Sequence, residues 1–287
     1  MQTKSIYFKD SSPKSKTALK ALTTVATKVA PALTLQASKR VLTRPSGKRT
    51  VEFKHLLPTH EYKVKTRLGD VHLYYFKGGS TQHLVAHGWA DTTQSMESVI
   101  INALELGHSV WALDHIGHGK SSGKKSHLFA YIEGLKQVID MVESVHSPIH
   151  VLTGHSSGAA AILNLDKEYL KERKVILMGT PIRFFENMSN KLDELGIHPK
   201  VLDDLLEDVS KEFQTDWKKL RPMQHKSKLA ENFLFIHDEE DKFCPYADLE
   251  VFLMNSSAKS FVTKGLGHRQ ILWQPRVMQK VSEFLSE

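Results

Sequence analysis

The 287-residue chain has a single cysteine, Cys244, so it cannot form a disulfide within itself. So little cysteine fits a reducing compartment, and we expect a cytoplasmic protein. The sequence also has no run of about 18 or more apolar residues, so no segment is predicted to cross a membrane. These two absences favour a globular chain held together by an ordinary hydrophobic core, for which the length suffices.

Acidic residues are scarce at one end of the chain. The first 67 residues contain 15 of the 39 lysines and arginines but only 3 of the 32 acidic residues. Such a basic segment can contact nucleic acid or anionic lipid. Because no aromatic residues interleave the charges in an RNA-binding pattern, we expect no nucleic-acid partner and favour a solvated N-terminal arm over residues 1–60. The scarcity of acids, with serine and threonine present, also describes an organelle transit peptide, which stays an alternative.

Residues 17–43 of this arm have a helical pattern, which Pro31 is expected to kink or restart. Five apolar side chains fall on one face of the predicted helix: Leu22, Val25, Ala26, Val29 and Leu33. This face has three alternative uses, which are peripheral contact with lipid, packing on the body of the protein, and a homodimer interface. We favour packing, because the apolar face is modest.

Strand and helix patterns alternate from about residue 62 onward. Residues 62–67 and 71–76 form a predicted β-hairpin. Further strands are predicted at 82–87, 109–113, 149–153, 174–178, 233–237 and 260–264. Helices are predicted at 91–106, 128–145, 159–170 and from about Pro275. A hairpin followed by repeated βα units indicates the α/β class, with a mostly parallel sheet and helices on both faces.

A connection of about 54 residues without a strand pattern separates two of the predicted strands. Helical segments are predicted within it at 186–195, 200–213 and 216–220. So long a connection inside a compact domain usually has a function. We predict a small helical lid over residues 182–227, at the carboxyl edge of the sheet where α/β folds bind ligands, within an α/β domain spanning 61–287.

Residues 154–158, Gly-His-Ser-Ser-Gly, match the pattern G-x-S-x-G between an apolar strand and a helix. In that context the serine lies on a sharp turn that exposes its oxygen above the sheet. Small residues on either side let the strand and the helix approach closely. We therefore predict Ser156 as a nucleophile. A Gly/Ser turn without chemistry is the alternative interpretation, since such turns are common.

A nucleophilic serine needs a base, and the base needs an acid to orient it. The predicted base is His268, which follows the last strand and two nearby glycines; a surface histidine is the alternative, because the chain has 16 histidines. Four carboxylates follow the penultimate strand, and among them we choose Asp241, with Asp238 second. Glu186, which follows the strand predicted at 174–178, is a remoter candidate. Ser156, Asp241 and His268 each follow a predicted strand, in the chain order of α/β-hydrolases.

Acyl transfer also needs hydrogen-bond donors for the oxyanion, worth about 2.7–4 kcal/mol each. The backbone N–H groups of Trp89 and Ser157 are the predicted donors. Phe184, Phe185 and Met188 in the predicted lid are candidates to line the substrate pocket.

Other uses of the chemically active residues are less favoured. His115 and His118 lie in a glycine-rich loop rather than on a helix, and the metalloprotease motif H-E-x-x-H is absent, so we expect no metal. Gly117 and Gly119 are too few for a dinucleotide-binding fingerprint, so no dinucleotide site is predicted there. Cys244 is interpreted as a packing residue.

As a set, these motifs resemble those of the α/β-hydrolase superfamily. The matching segments are His87-Gly88-Trp89, residues 114–123, residues 154–158, Asp241 and residues 265–268. Residues 114–123 (Asp-His-Ile-Gly-His-Gly-Lys-Ser-Ser-Gly) resemble the D-x-x-G-H-G-x-S segment of the branch that holds esterases, lysophospholipases and monoacylglycerol lipases. The resemblance covers about residues 62–287 and implies an eight-stranded sheet, a triad of Ser156, Asp241 and His268, and no cofactor.

One departure from the resemblance is Ser157-Gly158-Ala159, where many relatives have a bulkier residue and two glycines; it alters pocket shape rather than chemistry. We expect hydrolysis of a small-molecule carboxylic ester through an acyl-enzyme, with thioesters and monoacylglycerol-like lipids also open. The alternatives are an acyltransferase or C–C hydrolase that uses the same residues, and a non-catalytic binding protein on this fold.

Overall fold

The computed structural model describes residues 13–46 and 50–287. In this described part, eight strands form one sheet. They are β1 His60–Thr66, β2 Gly69–Phe76, β3 Gln82–Ala86, β4 Ser109–Asp114, β5 Ile149–His155, β6 Lys174–Met178, β7 Phe233–Asp238 and β8 Lys259–Thr263. Their spatial order is β1-β2-β4-β3-β5-β6-β7-β8, and only β2 runs antiparallel to its neighbours. This mostly parallel sheet confirms the predicted α/β-hydrolase fold.

Helices connect most of the strands. They are α1 Pro13–Val29, α2 Pro31–Leu42, α3 Glu97–Glu105, α4 Leu128–Val145, α5 Ser157–Leu163, α6 Lys167–Leu170, α7 Phe184–Glu194, α8 Lys200–Phe213, α9 Tyr246–Leu253, α10 Gly267–Gln270 and α11 Pro275–Ser286. Short 3₁₀ helices cover Thr93–Met96, Trp217–Leu220 and Pro222–Lys228. Among the described residues, no helix is both long enough and apolar enough to span a bilayer.

Helices cover both faces of the central strands. On one face, Val85 of β3 and Ile236 of β7 belong to a buried cluster that includes side chains of α3 and α11. The alternate residues Leu84 and Phe235 are equally buried, and alternate residues of a strand point to opposite faces. The central strands are thus buried on both faces, which explains why their middle residues appear in the sequence as short apolar runs rather than as an alternating pattern.

The chain divides into two compact units. One contains the sheet and comprises residues 50–182 and Pro222–Glu287, and the other comprises residues 13–46 and Arg183–Arg221. Within this second unit, α1 and α2 contact each other and α8. The N-terminal helices and the helices between β6 and β7 are thus packed together. A boundary near residue 60 and a lid function for 182–227 stay predictions.

Within this second unit, α1 ends at Val29 and α2 begins at Pro31, which confirms the predicted break. The apolar face predicted to pack on the protein does not do so. Four of its five residues are exposed: Leu22, Val25, Val29 and Leu33. Small polar side chains such as Thr27 and Ser38 are buried instead. Packing of these four residues on the body of the protein was therefore a wrong prediction, because periodicity shows which residues share a face but not which face is covered. Packing on a second subunit stays a prediction.

Candidate active site

Ser156 lies in a sharp turn between β5 and α5. Its backbone has φ 52° and ψ −119°, a region that non-glycine residues rarely adopt and that costs about 1–3 kcal/mol. The Ser156 N–H donates a hydrogen bond of 2.9 Å to Met178 O at the end of β6. The side chain is half-buried. The turn therefore has the strained strand-to-helix geometry that the motif predicts.

The glycines two residues before and two residues after Ser156 make this turn sterically possible. A Cβ atom added to Gly154 would lie 2.7 Å from the backbone nitrogen of Ala159. A Cβ atom added to Gly158 would lie 2.5 Å from Ala86 O on β3. Both distances are shorter than an ordinary van der Waals contact, so a side chain at either position would clash with backbone atoms. The motif thus reflects the close approach of β5, α5 and β3.

His268 and Asp241 form a hydrogen-bonded pair. His268 Nδ1 lies 2.7 Å from Asp241 Oδ2, and the Asp241 side chain is buried. Asp241 Oδ1 accepts N–H hydrogen bonds from Phe243 at 2.8 Å and from Cys244 at 2.9 Å. With both Asp241 oxygens accepting, His268 donates its Nδ1–H to Oδ2, and its Nε2 is then the basic nitrogen. The structure therefore brings together the histidine and the first-choice aspartate.

His155, the residue before Ser156, holds the backbone of His268. Its Nε2 lies 2.9 Å from His268 O, to which it donates, and the two ring centroids are 4.7 Å apart. Burial, together with the nearby His268 charge, lowers the pKa of His155 well below its usual value, so its ring stays neutral. Sequence reasoning did not assign a role to His155. The residue joins the serine turn to the loop that carries His268.

Asp238, the second-choice acid, has different partners. Its Oδ2 accepts hydrogen bonds from Thr263 Oγ1 at 2.7 Å and from the Leu266 N–H at 3.0 Å. Burial acts to raise the pKa of Asp238, but the hydrogen bonds that its carboxylate accepts outweigh this effect. The pKa of Asp238 is therefore below its usual value. Asp238 therefore ties the ends of β7 and β8 to the loop that carries His268, while Asp241 contacts His268 itself.

The turn after β3, which carries one predicted oxyanion donor, passes beside the serine. A Cβ atom added to Gly88 would lie 3.0 Å from Ser156 Cβ, and Trp89 is the next residue. Ser157 is the first residue of α5, and the N–H groups of a first helical turn have no partner inside their helix. Both predicted donors thus lie in segments that adjoin Ser156.

A buried histidine holds this turn in place. Ala90 has φ 54°, and its N–H donates to His118 Nε2 at 3.0 Å. His118 Nδ1 then donates to Ile116 O at 3.0 Å, while the Tyr131 hydroxyl donates to Gly88 O at 3.2 Å. Burial, with the nearby His87, lowers the pKa of His118 to about 3, so the ring stays neutral and can accept. His118 therefore supports the turn after β3 through its hydrogen bonds.

The rest of residues 114–123 supports the same turn. Asp114 Oδ1 accepts the Thr93 N–H at 2.9 Å, and its Oδ2 accepts the Lys120 N–H and the Tyr74 hydroxyl, both at 2.9 Å. His115 stacks on the ring of Tyr131, with centroids 3.6 Å apart. The D-x-x-G-H-G-x-S segment is therefore a scaffold for the turn after β3.

An ion pair connects the turn after β3 to the loop that carries His268. Arg269, next to His268, lies with its Nη2 2.8 Å from Oδ2 of the buried Asp91, which directly follows Ala90. The sequence analysis did not predict this pair, although Arg269 directly follows the predicted base His268 and Asp91 lies two residues after the predicted oxyanion donor Trp89. The pair fixes the relative positions of two segments that contribute to the candidate site.

Cys244 lies beside the acid–base pair. One ligand-type atom from each of Asp241, Cys244 and His268 lies within 4.8 Å of the others. Burial, with the nearby Asp241 charge, raises the pKa of the Cys244 thiol well above its usual value, so the thiol stays protonated. Both Asp241 oxygens already accept hydrogen bonds. We interpret the group as an acid–base pair beside a packed thiol rather than a metal centre.

The predicted pocket residues lie in the second unit. Phe184, Phe185 and Met188 belong to the first two turns of α7. Phe185 is buried, and its ring contacts Trp217 edge-on with centroids 5.3 Å apart. The remoter acid candidate Glu186 forms an ion pair with Arg221 at 3.3 Å. A role of α7 in lining a substrate pocket stays a prediction.

A mostly parallel eight-stranded sheet, with a strained serine turn after β5 and an Asp–His pair in loops after β7 and β8, defines an α/β-hydrolase. The chain belongs to the serine aminopeptidase S33 family, which it matches over residues 81–231. This membership confirms the assignment to the esterase- and lipase-like serine hydrolases of the α/β-hydrolase superfamily.

Similarity to individual relatives is more limited. A serine hydrolase-like protein of Dictyostelium discoideum is 33% identical over 105 residues, which are 35% of this chain and 29% of that protein. A monoacylglycerol lipase of Mycolicibacterium smegmatis is 28% identical over 102 residues, which are 34% of this chain and 36% of the lipase. The chain thus spans about a third of the length of the curated relatives it matches.

Solved structures share the fold. An esterase from Pyrococcus furiosus superposes with a TM-score of 0.65 at 16% identity, over 84% of this chain and 98% of the esterase. Est1E from Butyrivibrio proteoclasticus superposes with a TM-score of 0.61 at 13% identity, over 79% of this chain and 99% of Est1E. At these identities, the likeness extends to the fold alone.

Proposed function

We propose that the protein hydrolyses carboxylic esters through an acyl-enzyme formed on Ser156. The observation that carries the proposal is the 2.7 Å hydrogen bond between His268 and Asp241 in a chain whose Ser156 adopts a strained turn. A surface histidine has no need of a buried carboxylate partner. An oriented base and a strained serine in one fold are what nucleophilic catalysis requires.

The proposed reaction begins when His268 Nε2 takes the proton from the Ser156 hydroxyl. The serine oxygen attacks the ester carbonyl carbon, and the N–H groups of Trp89 and Ser157 donate hydrogen bonds to the oxyanion that forms. Asp241 stabilises the charged imidazole. The C–O bond to the alcohol breaks, and the alcohol leaves with the proton held by His268. Water, deprotonated by His268, then attacks the carbonyl carbon of the acyl-enzyme. The C–O bond to Ser156 breaks, the serine oxygen takes back the proton from His268, and the carboxylic acid is released.

The substrate class is proposed from chemistry and from one relative. A monoacylglycerol lipase matches part of the chain, which favours a monoacylglycerol-like ester, and thioesters react by the same steps. The half-buried Phe184 and Met188 and the buried Phe185 are proposed to contact the acyl chain. Acyl transfer and C–C hydrolysis would use the same three catalytic residues, and a substrate panel distinguishes them.

The test is turnover of p-nitrophenyl esters of graded acyl length by wild type, Ser156→Ala and the control Ser80→Ala. Ser80 is an exposed loop residue. We expect Ser156→Ala to lose at least about 10⁴-fold in kcat, because the nucleophile is gone, while Ser80→Ala keeps wild-type turnover. Circular dichroism should show an intact fold in both variants. Ester turnover that survives in Ser156→Ala would contradict the proposal.

A further inference from the structure

The helices α1 and α2 carry large apolar side chains on their outer side. The exposed fractions are 64% for Leu22, 57% for Val25, 78% for Val29, 68% for Leu33 and 66% for Val41. Leu22, Val25 and Val29 are spaced by three or four residues and so share one side of α1, while Leu33 and Val41 lie on α2. We call these five exposed side chains the outer apolar face. Exposed apolar residues that are grouped in this way mark an interaction surface, whereas single exposed ones need no explanation.

Buried polar side chains define the opposite, inner side of these helices. Thr27, Ser38 and Thr43 are only 4–5% exposed. Their hydroxyls donate to backbone carbonyls three or four residues earlier in the chain, at 3.0, 2.8 and 2.5 Å. Because these hydroxyls are satisfied within their own helices, the small side chains can be buried without loss. The apolar face thus points outward in a packed arrangement.

Contacts with the α7–α8 segment hold this orientation. Lys20 forms an ion pair with Asp193 at 2.6 Å, and Lys39 forms one with Asp208. The N–H of His198 donates to Thr23 Oγ1 at 3.0 Å. These contacts join α1 and α2 to the helices inserted between β6 and β7. Rotating either helix to hide its apolar residues would break them.

The charged side chains of α1 and α2 themselves are all basic, while Asp193 and Glu194 of α7 line a groove together with Lys20 and Val25. Residues 13–46 contain seven lysines and arginines and no acidic residue. Lys28, Arg40 and Arg44 are exposed. Long basic side chains can reach anionic headgroups while their methylene stems lie on apolar surface. A second copy that docked through its own α1 and α2 would bring the same basic side chains to this face, which favours an anionic surface as the occupant.

We propose that α1 and α2 dock on the surface of an anionic phospholipid bilayer. The outer apolar face enters the boundary between headgroups and acyl chains, and the surrounding lysines and arginines contact the headgroup phosphates and carboxylates. Binding of such helices strengthens with buried apolar area and with each basic residue near an anionic surface. No enzymatic turnover enters this proposal, so it stands apart from the proposed function.

The test is co-sedimentation of the full chain with phosphatidylcholine vesicles, with and without phosphatidylserine. We expect at least about tenfold tighter binding when phosphatidylserine is present, and weaker binding at high salt. The triple variant Leu22→Ser, Val29→Ser, Leu33→Ser should bind at least about tenfold more weakly. The control Leu57→Ser, Val251→Ser removes apolar residues that are 86% and 52% exposed elsewhere, and it should bind like wild type.

Further variants separate docking from folding and from catalysis. Thermal unfolding should show unchanged Tm, because the three substituted side chains are exposed. The variant Lys28→Glu, Arg44→Glu leaves the apolar face intact and should lose the preference for phosphatidylserine. Ser156→Ala should bind vesicles like wild type.

Four results would overturn the proposal. In the first, the wild-type protein stays in the supernatant. In the second and third, the triple variant binds as tightly as wild type, or the Leu57→Ser, Val251→Ser control loses as much binding as the triple variant. In the fourth, wild type binds no vesicles but is a dimer, and the triple variant is a monomer.

Discussion

Asp238 and Asp241 are three residues apart near the end of β7, yet they accept hydrogen bonds from different groups. Asp241 Oδ2 accepts from the His268 ring, and Asp238 Oδ2 accepts from Thr263 and Leu266. The first interaction orients a base, whereas the second fixes the loop around it. Neutralising Asp241 should therefore lower kcat, whereas neutralising Asp238 should lower the free energy of unfolding.

The predicted effect of Asp241→Asn is a loss of about 10⁴-fold in kcat, because an amide favours the wrong tautomer of His268. Asp238→Asn, the matched control, should instead lower the free energy of unfolding by about 1–3 kcal/mol and change kcat far less. Ester kinetics and urea denaturation measure the two effects. The reverse pattern, with Asp238→Asn inactive and Asp241→Asn active, would contradict these assignments.

For single residues, the sequence identified the candidate catalytic side chains but not the groups with which they form hydrogen bonds. Ser156, Asp241 and His268 could be proposed because each follows a predicted strand. The hydrogen bond from His155 to His268 joins positions 113 residues apart in the chain, and no local pattern predicts it. The choice between Asp238 and Asp241 likewise required the hydrogen-bond geometry of the loop.

The elements follow the predicted pattern where apolar periodicity is strong. The bounds of α4 and β6 match the prediction, and Pro31 separates α1 from α2. The helix predicted over 159–170 is instead two helices, α5 and α6, with the chain leaving helical geometry after Leu163. The helix α9 and the four-residue α10 were not predicted. A helix this short has too few turns to produce a periodic pattern.

The connection between two loops is an element-scale feature, and it can be tested by substitution. Arg269 and Asp91 join the loop after β8 to the turn after β3. We predict that Arg269→Gln and Asp91→Asn each lower kcat about tenfold by loosening the two loops. The double variant should be no worse than either single variant, because both remove the same interaction. Fully additive losses in ester kinetics would contradict this coupling.

Buried neutral histidines affect the stability of the whole molecule. Burial lowers the pKa of His83 to about 3, and that of His118 likewise to about 3. In the unfolded chain, a histidine has a pKa of about 6.5. Between these values the unfolded chain binds more protons than the folded protein. The free energy of unfolding therefore falls as the pH drops from about 6.5 toward about 3, and this contribution is constant above about 6.5.

His83→Gln tests this linkage. His83 Nε2 lies 2.7 Å from Thr153 Oγ1, so glutamine keeps a polar partner without an ionisable ring. Below about pH 6.5, the free energy of unfolding should depend less steeply on pH in the variant than in wild type. The difference between the two slopes should be up to about 1.4 kcal/mol per pH unit. Urea denaturation at several pH values gives that slope. An identical slope in variant and wild type would show that His83 does not titrate between the two states.

The central claim is that Ser156 is the nucleophile of this chain, and covalent labelling tests it most directly. The 287-residue chain is treated with a fluorophosphonate, and the adduct is located by intact mass and peptide mass spectrometry. A single adduct on Ser156, absent from Ser156→Ala and present in Ser80→Ala, is the predicted result. A folded wild-type protein that takes no label, or takes it on another residue, would contradict the claim.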